Sequence, residues 1–327
     1  MRNFSWSLLL GLFSVFLISG CDDDDDESED SGPGTLTAEV SGNSQFSILV
    51  DALTRTGLDS TLDQPGTFTV FAPTDAAFND LFAELGVGDL DGLIADVGAE
   101  RATQILLYHV LQVEVPSSDV TTGFVKTSGA NGRGNPMDVY LEADGGVKLN
   151  NSRATVQQAD IDATNGVAHA IDSVLLPLTV NDIVEISEDL SDLESAVGLA
   201  TGDLDVVLGD RSAEYTLFAP TNAAFDTLIA NLPNVTDLAS LVNSLGEAQV
   251  EDILLYHTLG SEVQSDSINP GAQTTLNPNN QTIFLNVTNG GLPIIDGSQQ
   301  TADAEVVFTD LTAENGVVHK IDNALLP

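Results

Sequence analysis

Phe68-Thr69-Val70-Phe71-Ala72-Pro73-Thr74-Asp75-Ala76-Ala77-Phe78 returns 147 residues later as Tyr215-Thr216-Leu217-Phe218-Ala219-Pro220-Thr221-Asn222-Ala223-Ala224-Phe225. Two further stretches repeat in the same order. Ile105-Leu106-Leu107-Tyr108-His109-Val110-Leu111 returns at 253–259, an offset of 148, and Asn165-Gly166-Val167-Ala168-His169-Ala170-Ile171-Asp172 returns at 315–322, an offset of 150. Each copy then closes in Leu-Leu-Pro, at Pro177 and at Pro327. The offset drifts by only three residues, so insertions are few. A repeat of this length is a domain that buries its own core, not one turn of a solenoid. The copies are set at 36–177 and 178–327, with almost no linker, so the two domains are expected to touch.

Local chemistry explains the first box. Thr67 to Phe71 is rich in β-branched and aromatic residues, the signature of a half-buried strand. Ala72 precedes proline and is biased away from helix. Thr74 then caps a helix, and Asp75 lies in its first turn, where negative charge is favourable. Phe78, Leu81 and Phe82 recur at helical spacing and form its buried stripe, and Thr221, Phe225 and Leu228 repeat the pattern. A catalytic threonine would need an acid–base partner, and none lies nearby in sequence.

All four histidines fall inside the repeated motifs: His109, His169, His257 and His319. On a helix, His109 shares a face with Ile105 and Leu106. On a strand, His169 alternates with Val167 and Ile171 and points to the core. The Asn165-Gly166 pair before it is a turn signal, as is Asn315-Gly316 before His319, because both residue types tolerate positive φ. Asp172 and Asp322 lie on the opposite strand face and are expected to fix the following turn. Two histidines per domain could bind a metal, or one could act as a general base. No thiol is near them and no carboxylate–histidine spacing occurs on one helix, so buried, hydrogen-bonded histidine is the favoured reading. Asp160, Asp162 and Asn165, with Asp310, Thr312 and Glu314 in the second copy, look slightly like a calcium loop. The EF-hand spacing and its bidentate glutamate are missing.

The three motifs, in order and twice, resemble the fasciclin-like domain: the Thr-Val-Phe-Ala-Pro-Thr-Asp-Ala-Ala-Phe box, the Tyr108-His109 and Tyr256-His257 pairs, and the closing Asn-Gly-Val-x-His-x-Ile-Asp box. The resemblance covers nearly everything after residue 35. It implies an α+β fold, two tandem domains, each a strand wedge with helices along one side. Asn222 stands where the first copy has Asp75, so nothing should depend on a carboxylate there. The motif residues Phe71, Pro73, Thr74, Asp75, Tyr108, His109, His169, Asp172, Phe218, Pro220, Thr221, Tyr256, His257, His319 and Asp322 are all read as structural. No residue is assigned to catalysis, a cofactor or a metal.

The N-terminus carries a different message. Arg2 is followed by an apolar run from Phe4 to Ile18, the grammar of an export signal, too short for a membrane span. It ends in Ile18-Ser19-Gly20-Cys21, which resembles the bacterial lipobox, and Cys21 is the chain's single cysteine. That resemblance implies cleavage of residues 1–20, acylation of Cys21 and a tether to the membrane. An ordinary secretory signal with a chance cysteine is the alternative. Eight of the nine residues 22–30 are acidic. Such a block repels itself, so residues 21–35 read as a disordered spacer. In some bacterial lipoproteins, acids after the cysteine direct surface display, whereas in enteric bacteria Asp there favours the inner membrane. An outer-membrane or surface location in the cell envelope is the expectation.

Composition narrows the function. Of 327 residues, 50 are Asp or Glu and 9 are Lys or Arg, a formal charge of −41. A nucleic-acid binder needs a basic face, and so does electrostatic docking on anionic lipid. One cysteine excludes an intrachain disulfide, a multi-thiolate zinc site and an iron–sulfur cluster. No Gly-x-Ser-x-Gly elbow occurs, and the chain is not read as an enzyme. The leading expectation is an envelope-anchored adhesion module that binds a protein or polysaccharide on a cell surface or in a matrix. The alternative is a periplasmic or surface protein that binds a glycan or small ligand in a pocket between the domains. Gly129 to Asn135 and Pro270 to Asn280 differ between the copies and are expected to form exposed binding loops.

Overall fold

In a computed structural model of the chain, the described residues are 32–200, 204–286, 293–295 and 303–327. The export segment, Cys21 and the acidic block lie outside them.

The first copy runs through α1 (Leu36–Ser41), α2 (Ser47–Thr56), α3 (Asp59–Leu62), β1 (Phe68–Pro73), α4 (Asp75–Leu85), α5 (Leu90–Val97) and α6 (Ala99–Tyr108). The strands β2 (Val110–Leu111), β3 (Gly123–Ala130), β4 (Pro136–Ala143), β5 (Val147–Leu149), β6 (Ala154–Ala163) and β7 (Gly166–Ile171) follow. The second copy repeats this order. It comprises α7 (Val180–Ile186), α8 (Ser191–Leu199), α9 (Leu204–Gly209), β8 (Tyr215–Pro220), α10 (Asn222–Asn231), α11 (Leu238–Leu245) and α12 (Glu247–Tyr256). Its strands are β9 (Thr258–Leu259), β10 (Gly271–Thr274), β11 (Thr282–Leu285), β12 (Pro293–Ile295), β13 (Ala304–Ala313) and β14 (Gly316–Ile321). This is the α+β tandem expected from the motifs.

Each copy builds a seven-stranded sheet, in the order β2-β1-β7-β6-β5-β4-β3 and its counterpart β9-β8-β14-β13-β12-β11-β10. Within each, the two motif strands pair in parallel, Phe71 against His169 and Phe218 against His319, and the other pairings are antiparallel. The repeated boxes therefore meet at the centre of the sheet, although about a hundred residues separate them in sequence.

β1 departs from the half-buried strand expected. Thr69 to Pro73 are all buried, because helices cover one face and the wedge of strands covers the other. Thr69 tolerates this since its hydroxyl donates to Val113 O (2.7 Å) and accepts from Val115 N–H (2.8 Å). Thr216 does the same with Ser261 O and Val263 N–H.

The helices start where cap chemistry says they should. Thr74 and Thr221 accept the N–H of Ala77 and Ala224, which satisfies one orphan donor of each first turn. Gly86 ends α4 at φ 70°, a left-handed conformation that a side chain would strain. Phe78, Leu81 and Phe82 are buried on the helical side, as their spacing required.

The Asn-Gly turns work differently from the expectation. Only the glycine has positive φ, 146° at Gly166 and 152° at Gly316. The asparagine is there for its side chain. Asn165 Oδ1 accepts from Leu36 N–H (2.9 Å), and its Nδ2 donates to Leu62 O and Gln64 O. Asn315 likewise joins Val180, Leu208 and Asp210. One buried amide thus ties the first helix and the end of the third to the central strands.

Candidate functional site

The residues with the most chemistry are the histidines, and the fold takes both ring nitrogens of each. His109 caps the C-terminus of α6. Its Nδ1 faces Ile105 O at 2.7 Å, and its Nε2 accepts from Leu175 N–H at 2.8 Å. His257 repeats this with Ile253 O and Leu325 N–H. In the sheet the roles reverse. His169 Nε2 faces Val115 O (3.0 Å) and Nδ1 accepts from Asp160 N–H (3.1 Å). His319 pairs with Val263 O and Asp310 N–H in the same way. One nitrogen donating and the other accepting is the pattern of a neutral imidazole. All four rings are buried, His109 at 2% exposure and the others at 0%. Burial lowers the His109 pKa to about 4 and lowers that of His319 as well. A histidine so held reaches no substrate unless it first breaks a backbone hydrogen bond.

The remaining motif residues are committed in the same manner. Phe71 and Phe218 pack on the His169 and His319 rings, with centroids 5.7 and 5.5 Å apart. Tyr108 is fully buried and its hydroxyl donates to Asp138 O (2.7 Å), while Tyr256 donates to Thr282 O. Pro73 and Pro220 end the buried motif strands. Asp172 corrects the expectation that it fixes the next turn. Its carboxylate reaches back to Thr155 N–H (2.7 Å) and Gln157 Nε2 on the neighbouring strand β6, and Asp322 reaches Glu305 N–H.

Asp75 does more than favour its own helix. It accepts from Ser47 Oγ and from Ile48 N–H (2.8 Å), so it ties the start of α2 to α4. Asn222 performs the same task through its amide oxygen on Asp192 N–H. A carboxylate is dispensable because the task is hydrogen-bond acceptance. Asp160 and Asn165, weighed as calcium ligands, hold Ser117 and the first helix instead. Those Ser117 bonds also lower the Asp160 pKa. Among the described residues, no three His, Cys, Asp or Glu side chains gather as a cation site.

The two copies touch, as their near-absent linker requires, through residues that the motifs do not single out. Phe124 and Tyr140, with rings 4.9 Å apart, pack against the helical core of the second copy. Beside them Asp138, 3% exposed, accepts from Lys126 Nζ (2.7 Å) and from Thr312 N–H (2.6 Å) of the second copy. Lys126 Nζ also reaches Asp310 O and Thr312 Oγ1. Arg101 grips Glu314 with two hydrogen bonds, Arg153 pairs with Asp182 (2.7 Å) and Arg133 with Glu214. Four basic residues of the first copy thus reach the second, and Arg211 of the second reaches back to Pro177 O, so five of the chain's nine cross one junction. Burial raises the Asp138 pKa. Asp182 is also pushed up by burial, but Arg153 and Thr179 outweigh this and its pKa is lowered.

The reading of Gly129 to Asn135 as an exposed binding loop holds for its tip, Gly132 to Gly134, while the joint draws in its two ends. Asn131 is buried and donates to Glu262 Oε2 (2.8 Å) of the second copy, and Asn135 donates to the other oxygen of Glu262. Gly129 lies so close to α6 that a Cβ would meet Tyr108 N at 2.7 Å. The counterpart segment is partly withdrawn too, with Asn277 buried and bonded to Asp252 O. The signal in the sequence was the clustering of scarce bases in the first copy's middle, which has no equivalent in the second.

Comparison with known proteins agrees with the architecture. The chain is 32% identical over 275 residues to transforming growth factor-beta-induced protein ig-h3 of Sus scrofa, covering 81% of this chain and 35% of that protein. It therefore spans about a third of that relative's length. Over 143 residues it is 39% identical to protein sll1483 of Synechocystis sp., covering 44% of this chain and 73% of the other. A solved FAS1 domain pair from the insect cell adhesion molecule Fasciclin I superimposes with a TM-score of 0.51, over 85% of this chain and 95% of that one, at 20% identity. The fasciclin domain itself matches residues 44–177 and again 188–327. With two successive matches that take in most of its length, the chain belongs to the fasciclin domain family, as a tandem pair.

Proposed function

We propose that the protein is an adhesion or interaction module of the bacterial cell envelope, tethered through a lipid on Cys21 and held off the bilayer by residues 22–35. The observation that carries this reading is that both nitrogens of every histidine are engaged with the protein's own backbone. The motifs build a scaffold, and the work falls to the surface of the folded tandem. Recognition without catalysis is the reading that this division supports. The likeness to a domain pair from a cell adhesion molecule supports the reading. Among the described residues no helix is long and apolar enough to cross a membrane.

The partner is a protein or polysaccharide on a cell surface or in a matrix, and two copies in one chain raise the effective concentration of the second contact. Attachment of cells displaying the full chain should fall when the folded region is deleted. Cys21→Ser should shift the protein from the membrane fraction to the soluble one. Unchanged attachment without the folded region would refute adhesion, and continued lipid labelling of Cys21→Ser would refute the anchor. An isolated copy that attaches as firmly as the pair would remove the avidity argument alone.

A further inference from the structure

Between the two copies lies a cleft of about 780 Å³, within the roughly 300–1,000 Å³ of ordinary small-molecule sites, which favour domain interfaces. Its chemistry differs from the rest of this acidic surface. Arg101 and Arg133 come from the first copy and Arg211 from the second, so three of nine basic side chains line one opening. Facing them are Glu100, Glu214, Glu262 and Glu314. Ile105 and Met137, both buried, give the cleft an apolar floor.

The guanidiniums are held but not saturated. Glu314 is shared, taking two bonds from Arg101 and one from Arg211. Among the described residues, both bonds of the Arg211 guanidinium come from Nη1, to Glu314 and to Pro177 O. Arg133 directs Nε and Nη2 at the single oxygen Oε2 of Glu214, and both side chains remain exposed. The wall therefore presents donor-only and acceptor-only groups side by side, with unused capacity on each.

A hydroxyl is the group that satisfies both at once, because it accepts from a guanidinium and donates to a carboxylate. Vicinal hydroxyls on a sugar ring match such neighbouring pairs, and the ring's C–H face suits an aliphatic floor. Charge selects further. Three cations against four carboxylates leave the cleft without positive excess, in a chain of formal charge −41. A polyanion is therefore repelled at long range and gains nothing locally. We propose that this interdomain cleft is a saccharide site and that it takes an uncharged oligosaccharide. The proposal rests on the adhesion reading for where the sugar is found, and names the partner class for it.

The test is saturation-transfer NMR on the intact tandem with neutral hexasaccharides of glucose, mannose and galactose, and with an oligogalacturonate hexamer as the anionic probe. At least one neutral sugar should bind. Ser212 is exposed on the cleft wall, so Ser212→Trp should fill the opening and weaken binding about tenfold or more, with the melting temperature unchanged. Glu214→Gln, which leaves the cleft open and removes one acceptor, should weaken binding less. Absence of binding by every neutral sugar, binding by the uronate alone, or binding indifferent to both variants would overturn the site. Cell attachment that persists alongside any of those results would leave the adhesion reading standing, so the two failures are separable.

Discussion

Gly166→Ala should destabilise the first copy by roughly 3–5 kcal/mol, a large part of the 5–15 kcal/mol that typically holds a domain together. Two separate effects add. Gly166 has φ 146°, where an L side chain is strained. A Cβ there would also stand 2.0 Å from Phe68 O and 2.7 Å from Phe68 N, backbone atoms of the parallel neighbour β1. Little can give way, because the atoms struck are backbone, β7 is buried along its length and β1 is buried from Thr69 onward. Gly123→Ala separates the two effects. Gly123 has φ 151° with nothing within 4 Å of its Cβ position, so it carries the strain alone, about 1–3 kcal/mol. Urea unfolding followed by circular dichroism measures both. Equal losses for the two variants would show that close approach contributes nothing.

Acid should remove about 3 kcal/mol of stability through His109 alone as pH falls from about 6.5 to about 4. The unfolded imidazole takes its proton near 6.5, and burial delays the folded one until about 4. Across that window the unfolded chain binds more protons, so stability is full above 6.5 and declines toward 4. The cause is burial, which strips water from the charged ring, and protonation would in addition set a second N–H against Leu175 N–H. His319 adds in the same direction. Asp138 works against them, since its raised pKa favours the folded state at low pH. Comparing the protein with His109→Gln isolates the histidine. The amide does not titrate, so the gap between the two stability profiles should narrow as pH falls. Parallel profiles would assign the acid sensitivity elsewhere.

The sequence revealed the architecture because the three repeated boxes concentrate what the fold needs locally: β-branched residues, a cap, a helical stripe and a glycine at a crowded turn. It revealed the histidines' burial through their register against Ile105, Leu106, Val167 and Ile171. It did not reveal what Asn165 or Asp75 hold, because their partners Leu36, Leu62 and Ile48 are set by the fold and not by spacing. Nor did β1's double burial follow from alternation, since a threonine with both hydroxyl roles filled looks the same in sequence as one facing water. The joint was least legible. A Gly- and Asn-rich stretch signals a turn on any surface, and only the placement of Glu262 makes Asn131 an interior residue.

The joint also has a direction. The positions in the second copy that correspond to Arg101, Lys126 and Asp138 are Gln249, Thr274 and Thr282, and the position in the first copy that corresponds to Glu314 is Thr164. The duplicated halves have diverged into a plug and a socket, and each carries its half of the chemistry once. Exchanging their order along the chain would set glutamine and threonine against threonine, with none of the ion pairs regained. A third copy appended at Pro327 would likewise meet a face without the charges that dock the first. The two halves of the joint are therefore not interchangeable, and the order of the copies is set by which half carries Arg101 and Lys126.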